Sequence, residues 1–399
     1  MQAELNIGLL GHVDHGKTSV TKALTGTWTD VHSVEIKRGI SIKLGYANAV
    51  FKKCKKCKAA EAYTRMDKCQ CGNGELEVLR KVSLVDAPGH ETLMATVIAA
   101  SSIIDGALLI IAANEPCPQP QTKEHKMLLE TLGIKNLVIV QNKIDLVTPE
   151  KAEENHKQIK AFLADSIYKD VPIIPISANY EANIDVLIEA IEKYIPTPKR
   201  EEGKDPLVYI ARSFDVNKPG AKIEKLIGGV LGGSLVQGKL SIGDEIEIRP
   251  GISKSEKSPP MPITSKIIGL YEGKESFQEV RSGGLIGIST TLDPSLTKAD
   301  GLVGNVVGLP GKMPQVLSEV DIEYHLLDRV DFENLGMRQN EILVINIGTT
   351  TTLGLVEKLK KNKMHVRLKH PICANPKSTV ALSRKIGQRW RLCGKGILL

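Results

Sequence analysis

Gly11-His-Val-Asp-His-Gly-Lys17-Thr18, close to the N-terminus, decides how the rest of the chain is read. It follows an apolar run, Leu5 to Leu10, and precedes a stretch of helical spacing from Ser19 to Leu24. Strand, glycine-bounded loop and helix in that order turn a G-x-x-x-x-G-K-[ST] pattern into a phosphate site. Gly11 and Gly16 let successive backbone N–H groups turn inward, and the helix N-terminus adds the positive end of its dipole. Lys17 can then reach the outer phosphates of a nucleoside triphosphate, and the Thr18 hydroxyl is placed to ligate Mg²⁺.

Outward from this loop, short apolar runs alternate with longer amphipathic stretches as far as Tyr194. The expected strands are 5–10, 82–86, 107–113, 137–141 and 173–176, and the expected helices 91–100, 122–132, 149–165 and 184–194. Continuous apolar strands joined by helical crossovers specify a parallel sheet covered on both faces, here an α/β domain over residues 1–200. Ligands of such sheets lie beyond the carboxyl ends of the strands. The remaining motifs of this half fall there. Asp86-Ala-Pro-Gly89-His90-Glu91 leaves strand 82–86: Asp86 can hold the Mg²⁺ water shell, the Gly89 N–H can meet a terminal phosphate, and His90 lies within reach of an attacking water. Asn142-Lys143-Ile144-Asp145 follows strand 137–141. The Asp145 carboxylate can accept from N1–H and the exocyclic amine of guanine, a donor pair that adenine lacks, while the Lys143 stem stacks over the base. Ser177-Ala178-Asn179 ends the next strand, where the Ala178 N–H can meet the guanine carbonyl. Four motifs in order, each at a strand end, make the nucleotide guanine.

At 399 residues the chain exceeds one ordinary core, so two or three domains are expected. The formal net charge of +7 is mild, but residues 358–399 hold twelve Lys/Arg and no Asp or Glu. A one-sided terminal domain of that kind suits a polyanionic partner such as RNA or a ribosome, or simply a solvated basic face. Glu4 interrupts the N-terminus, which does not read as a secretory signal. The apolar region 97–113 is broken by Ser101-Ser102 and Asp105-Gly106, and reads as helix end, turn and buried strand rather than a membrane span. Four of the seven cysteines fall in one eighteen-residue window, which favours a metal site in a reducing compartment over a disulfide frame and makes the cytoplasm the expected location.

That window lies in an insertion between the first helix and the Asp86 strand. Glu35-Ile-Lys-Arg-Gly39-Ile-Ser41 looks like a mobile segment whose hydroxyl can join the Mg²⁺ sphere, and residues 42–51 carry an edge-strand pattern. Cys54-Lys-Lys-Cys57 and Cys69-Gln-Cys71 follow, within an insertion of about 53–75. Two close pairs on separate turns can enclose Zn²⁺ tetrahedrally. The second pair is C-x-C where ribbon sites usually have C-x₂-C, a spacing that constrains how both sulfurs reach one metal; reduced surface thiols are the alternative.

With these motifs in hand, the chain resembles the translational GTPases related to elongation factor Tu, and more narrowly the gamma subunits of archaeal and eukaryotic translation initiation factor 2. The specific marks are Lys37–Tyr46, the cysteine insertion after it, Ala112–Thr122, Arg212–Gly220, Leu292–Asp300 and Gly387–Arg391. They extend over essentially the whole chain, and the absence of a long N-terminal extension fits an archaeal form. The resemblance implies a GTP/GDP-controlled carrier of methionyl initiator tRNA to the small ribosomal subunit, acting within an alpha-beta-gamma heterotrimer. It implies that Asp14, His15, Gly16, Lys17, Thr18 and Ser19 wrap the phosphates, that Thr18, Ser41 and Asp86 serve the principal Mg²⁺, and that Asp14 and the Gly39 carbonyl serve a second. Ser41 replaces the family's usual threonine. His90 matches the family's catalytic histidine, and an accessory factor is expected to stimulate a slow intrinsic hydrolysis. Tyr46 is a candidate for the tRNA amino-acid pocket, with edge-strand packing as the alternative.

Pro196, Pro198 and the polar stretch 199–204 stop the last helix and form a linker. Short β-rich runs at 207–213, 228–235, 244–248 and 285–289 suggest a first barrel over 206–313, with 254–262 an exposed loop. Runs at 322–327, 341–347, 354–359, 365–368 and 379–383 suggest a second barrel over 314–399. The expected fold is thus an α/β P-loop GTPase domain with a zinc-ribbon insertion, followed by two β-barrels. Gly228-Gly229 and Gly232-Gly233 suit turns and bulges better than a second phosphate site. Trp390, flanked by Arg389 and Arg391, either closes a barrel or stacks on RNA. Two competing identities share the motifs. A selenocysteine-specific elongation factor is expected to add a C-terminal domain, and the cysteine insertion and the acid-free tail count against a regulatory GTPase subunit of a metabolic enzyme such as sulfate adenylyltransferase.

Overall fold

A computed structural model describes the chain apart from residues 30–43, 91–92, 219, 221, 223, 225, 254–257, 330–331 and 334. It divides into two compact units, Ala3–Pro198 and Lys199–Leu399.

The first unit is built on a seven-stranded mixed sheet. Its strands are β1 (Leu5–Gly11), β2 (Gly45–Cys54), β3 (Tyr63–Thr64), β4 (Leu76–Asp86), β5 (Gly106–Ala112), β6 (Leu137–Asn142) and β7 (Ile173–Pro175), in the order β3-β2-β4-β1-β5-β6-β7. Its helices are α1 (Lys17–Thr25), α2 (Met94–Ser101), α3 (Pro120–Thr131), α4 (Pro149–Leu163) and α5 (Ile184–Tyr194). Strands β4, β1, β5, β6 and β7 are parallel, and β1 and β5 are buried along their whole length, as continuous apolar runs between helical layers should be.

The expectation of a parallel sheet needs one correction. Strand β2 runs antiparallel to β4, pairing Gly45 with Asp86 and Cys54 with Leu76. Only a single 3-10 turn, Ala59–Ala62, and the short β3 lie between the two; the cysteine insertion joins them as the end of a long hairpin, and a hairpin can only return antiparallel. Helix α2 begins at Met94, later than the expected 91, and residues 91–92 lie outside the described residues.

Amphipathic spacing explains how α5 docks. Ile184, Leu187, Ile188 and Ile191 recur at one face and are buried in the core with β1 and β6. Arg80 on β4 locks its C-terminal end: Nη2 donates to the Ile191 and Ile195 carbonyls at 3.2 and 2.8 Å, and Nε to Glu192 at 2.8 Å. A cation on the last carbonyls of a helix both satisfies them and meets the negative dipole end.

The second unit holds two closed six-stranded barrels. In the first, β8 (Leu207–Phe214), β9 (Val230–Gln237), β11 (Glu245–Ile252), β12 (Met261–Glu272), β15 (Ile286–Thr290) and β16 (Val306–Gly308) run in the order β11-β16-β8-β9-β15-β12, closed by β11–β12. Short strands β10 (Lys239–Ser241), β13 (Glu275–Phe277) and β14 (Glu279–Arg281) decorate it. The second barrel is β17 (Val316–Leu326), β20 (Lys363–Cys373), β19 (Thr350–Lys360), β18 (Ile342–Ile347), β21 (Thr379–Ile386) and β22 (Arg389–Leu398) in that order, closed by β17–β22. Each barrel encloses its own apolar core. Leu207, Val306 and Cys373 form a small cluster that joins them, with Tyr209 and Met313 packed against it.

One detail differs from expectation. The loop assigned to 254–262 ends sooner, because Met261 and Pro262 already belong to β12; residues 254–257 lie outside the described residues. Gly232 and Gly233 face a register shift of β8 between Ile210 and Arg212, in keeping with the bulge role expected of them, and Gly228 and Gly233 are also close-packing positions. A Cβ on Gly228 would lie 1.9 Å from the Thr290 carbonyl oxygen, and one on Gly233 2.0 Å from that of Tyr209.

Candidate nucleotide site and thiolate centre

The loop between β1 and α1 is shaped by residues that tolerate positive φ. Gly11 (φ 141), Asp14 (φ 60) and Gly16 (φ 90) turn the chain, and Gly16 caps α1 in the left-handed conformation. A Cβ on Gly16 would sit 2.3 Å from Asn142 Nδ2, so glycine is required there for space as well as for φ. Lys17 is buried, its ammonium donating to the carbonyls of His12 at 2.7 Å and Gly11 at 3.2 Å. The ammonium therefore lies across the loop, where phosphate oxygens would compete for it. Asp14 is exposed at the loop's tip; Ser19 is half-buried in the first turn of α1.

Three further strand ends converge on this loop. Thr18 Oγ1 donates to Asp86 Oδ2 at 2.7 Å, and Thr29 Oγ1 donates to the same oxygen at 2.7 Å. Gly89 follows three residues after Asp86, and a Cβ there would lie 2.4 Å from Lys17 Nζ and 2.9 Å from the Val13 nitrogen. Only glycine fits between β4 and the phosphate loop. His90 is half-buried at the next position. Asn142 ties the other two motifs in: its Nδ2 donates to the His15 carbonyl at 3.0 Å, and its Oδ1 accepts from the Ala178 N–H at 3.1 Å. Lys143 takes a left-handed conformation (φ 64) that starts the short helical turn Ile144–Leu146 and leaves Asp145 exposed. Ser177 is buried and bridges to Ala182, with Asn179 exposed beyond it. One chain of contacts thus links all four motifs.

The donor set suits a small hard cation. A hydroxyl and a carboxylate oxygen 2.7 Å apart approach the roughly 3 Å spacing of neighbouring oxygens around an octahedral ion with bonds of about 2.1 Å. Gly39 and Ser41, the other candidates for such ions, lie outside the described residues. Tyr46 on β2 is half-buried and pairs with Val85.

The four cysteines of the insertion meet. Their Sγ atoms all lie within 4.8 Å of one another, with Cys54 to Cys71 at 3.8 Å and Cys69 to both Cys57 and Cys71 at 3.3 Å. A tetrahedral Zn²⁺ with Zn–S bonds of about 2.3 Å needs sulfurs about 3.8 Å apart, so the set fits the ion. The tight C-x-C spacing is accommodated by a turn in which the Gly72 N–H (φ 75) donates to the Cys69 carbonyl at 3.0 Å. Gly74 packs so close that a Cβ would lie 2.1 Å from Cys54 Sγ.

Several contacts at the site and beyond it are not announced by the sequence. His125, on α3, accepts from the Gly11 N–H at its Nδ1 (2.8 Å) and is wholly buried, which pulls its pKa down to about 3. His15 Nδ1 lies 3.1 Å from the Ile110 carbonyl and its Nε2 3.4 Å from Glu115; burial holds its pKa at about 4. Thr29 shares Asp86 with Thr18. In the second unit, Arg212 and Asp300, from two separate marks of the resemblance, form a 2.9 Å ion pair, and Asp300 also accepts from the Ser213 N–H at 3.1 Å.

Residues 2–197 match the family model of the elongation factor Tu GTP binding domain, and residues 318–398 that of the C-terminal part of initiation factor eIF2 gamma. The translation initiation factor 2 subunit gamma of Methanococcus vannielii is 54% identical over 405 residues, covering 100% of this chain and 99% of its own. That of Methanothermobacter thermautotrophicus is 55% identical over 404 residues, with coverage of 100% and 99%. Among solved structures, a bacterial selenocysteine-specific elongation factor superimposes with a TM-score of 0.76 at 22% identity, over 100% of this chain and 58% of that one. Translation elongation factor SelB from Methanococcus maripaludis in complex with the GTP analogue GppNHp gives 0.74 at 21% identity, over 100% and 79%. At these identities the likeness is one of fold. Among the described residues, no helix is long and apolar enough to cross a membrane.

Proposed function

Because the chain belongs to the family of translation initiation factor 2 gamma subunits, and is a translational GTPase, we propose that it carries methionyl initiator tRNA to the small ribosomal subunit in its GTP state and releases it after hydrolysis. It works in the cytoplasm as one subunit of an alpha-beta-gamma heterotrimer. The observation that supports this reading is the packing of Gly89, just beyond β4, against Lys17 of the loop that would meet the terminal phosphate.

In this reading Lys17 leaves the His12 and Gly11 carbonyls for the outer phosphates, and the backbone N–H groups from Asp14 to Ser19 wrap them. Asp145 accepts from the guanine N1–H and amine, Lys143 stacks on the base, and Ala178 donates to its carbonyl. Thr18, Asp86 and Ser41 would hold Mg²⁺, which neutralises charge on the phosphates, and Asp14 with the Gly39 carbonyl would hold a second ion. His90 orients the attacking water. Loss of the terminal phosphate frees Gly89, and the loops that follow it change the surface offered to tRNA, Tyr46 included. Cys54, Cys57, Cys69 and Cys71 would hold Zn²⁺, which cross-links the two turns of the insertion and has no part in hydrolysis.

Relatives at 54–55% identity are initiation factor subunits, whereas the likeness to selenocysteine-specific factors stops at the fold. The test is filter retention of methionyl initiator tRNA by the purified chain, alone and with the alpha and beta subunits. Retention should be at least about tenfold tighter with a non-hydrolysable GTP analogue than with GDP. Equal retention in the two states, or preference for another aminoacyl-tRNA, would overturn the reading.

A further inference from the structure

The segment Ala112–Thr122 has no part in the scheme above, although its Glu115 lies 3.4 Å from His15 of the phosphate loop. It is strapped to α4 at two points: Asn155 Nδ2 donates to the Glu115 carbonyl at 2.8 Å, and Gln158 Oε1 accepts from the Cys117 N–H at 2.9 Å. From there it leads into α3, which carries His125 back to the loop. Gly11 is the residue it meets. The Gly11 N–H donates to His125 Nδ1 at 2.8 Å, while its carbonyl accepts from Lys17 Nζ at 3.2 Å. A Cβ on Gly11 would lie 2.3 Å from the Ile110 carbonyl oxygen, so no other residue can take this conformation. The two groups of one residue are therefore held from opposite sides, by α3 and by the phosphate-binding lysine.

We propose that His125 is a positioning residue for the nucleotide site: by fixing the Gly11 amide it sets the loop's first turn and, through the Gly11 carbonyl, the starting position of the Lys17 ammonium. With Nδ1 accepting, the neutral ring carries its proton on Nε2, which is buried without a hydrogen-bond partner among the described residues. An apolar side chain would avoid that orphaned donor, so packing alone does not account for an imidazole here; an acceptor for Gly11 does. Burial keeps the ring neutral, and hence an acceptor, throughout the physiological range.

The inference rests on the nucleotide-site reading, and the test separates the two. His125→Phe keeps the bulk and removes the acceptor; His125→Asn places an amide oxygen close to the position of Nδ1. Affinities of the full chain for fluorescent GDP and a fluorescent GTP analogue are measured, together with KM and kcat for GTP. For His125→Phe, both affinities should weaken at least about tenfold and KM rise in step, with kcat changed less than about threefold. His125→Asn should return affinity to within about threefold of the parent. A folded His125→Phe variant with parental affinity, or a folded His125→Asn variant as weak as His125→Phe, would overturn the proposal. Should His125→Phe not fold, a trans-hydrogen-bond ¹⁵N–¹⁵N coupling between the Gly11 amide and His125 Nδ1 decides: its presence with parental affinity in His125→Asn supports the assignment, and its absence overturns it. A parent chain that binds no guanine nucleotide would instead sink the nucleotide-site reading.

Discussion

Thr18 and Asp86, sixty-eight positions apart, share a 2.7 Å hydrogen bond from hydroxyl to carboxylate, and Thr29 donates to the same carboxylate oxygen. The contact joins the start of α1 to the end of β4, the parallel neighbour of β1, the strand that leads into the phosphate loop.

Asp86 is therefore the residue through which a divalent ion should act. Asp86→Asn removes the charge while retaining a carbonyl acceptor. Mg²⁺-dependent GTP affinity should fall at least about tenfold, and Mg²⁺-free GDP binding should change little. Titration with and without chelator reads both; equal losses would assign Asp86 to the fold alone.

Asp145 stands exposed after a left-handed Lys143, so its replacement leaves the core intact. Asp145→Asn replaces a double acceptor with one acceptor and one donor. Losing charged hydrogen bonds of about 1.5–3 kcal/mol each should weaken GTP binding by roughly a hundredfold or more. Xanthine nucleotides, which offer an oxygen where guanine has its amine, should bind the variant better than the parent. Competition binding among GTP, XTP and ATP tests this.

Metal analysis of the purified chain should return about one Zn per molecule. A Cys54→Ser, Cys57→Ser double variant should contain none, while guanine nucleotide affinity stays within about threefold. Nucleotide affinity that disappears with the metal would contradict a purely structural role.

Arg80 is 6% exposed and holds Glu192 and the last carbonyls of α5. Arg80→Met leaves Glu192 and those carbonyls without their cation. Breaking one partner of such a buried pair costs about 3–5 kcal/mol. Hydrogen exchange of the β1 and β4 amides, which reports opening of this unit, should speed up accordingly.

The depressed pKa of His125 sets a pH dependence whose sign follows from linkage. Between about pH 3 and 6.5 the unfolded chain takes up a proton that the folded chain refuses. Stability from this group is complete above pH 6.5 and declines as pH falls through that window, by about 2 kcal/mol between pH 7 and 5. The His125→Asn variant should show a decline shallower by that amount in core amide exchange. An identical decline would place the titration elsewhere.

Much of the architecture was legible because its determinants are local. Continuous apolar runs marked β1, β5 and β6, and the 184–194 helix begins and ends where its spacing says. Strand β12 was missed: most of its first eight residues are exposed or half-buried, so no alternation announces it until Ile267. Strand β22 was missed for a related reason, since its glycines and basic residues lack a β signature and its place is set by closing the barrel against β17. His125 looked like any polar residue of an amphipathic helix, because its partner lies 114 positions away.

By itself, the sequence determined the strand–loop–helix of the phosphate site and the alternation of strands and helices around it, because glycine conformation and hydrophobic period act over a few residues. It also carried the marks of its family along its whole length. Only the tertiary structure decided that β2 returns antiparallel, that four thiols meet, that Asp86 takes two hydroxyls and that His125 takes the Gly11 amide. Those relationships join residues far apart in the chain, and their distances are fixed by sheet register and helix docking.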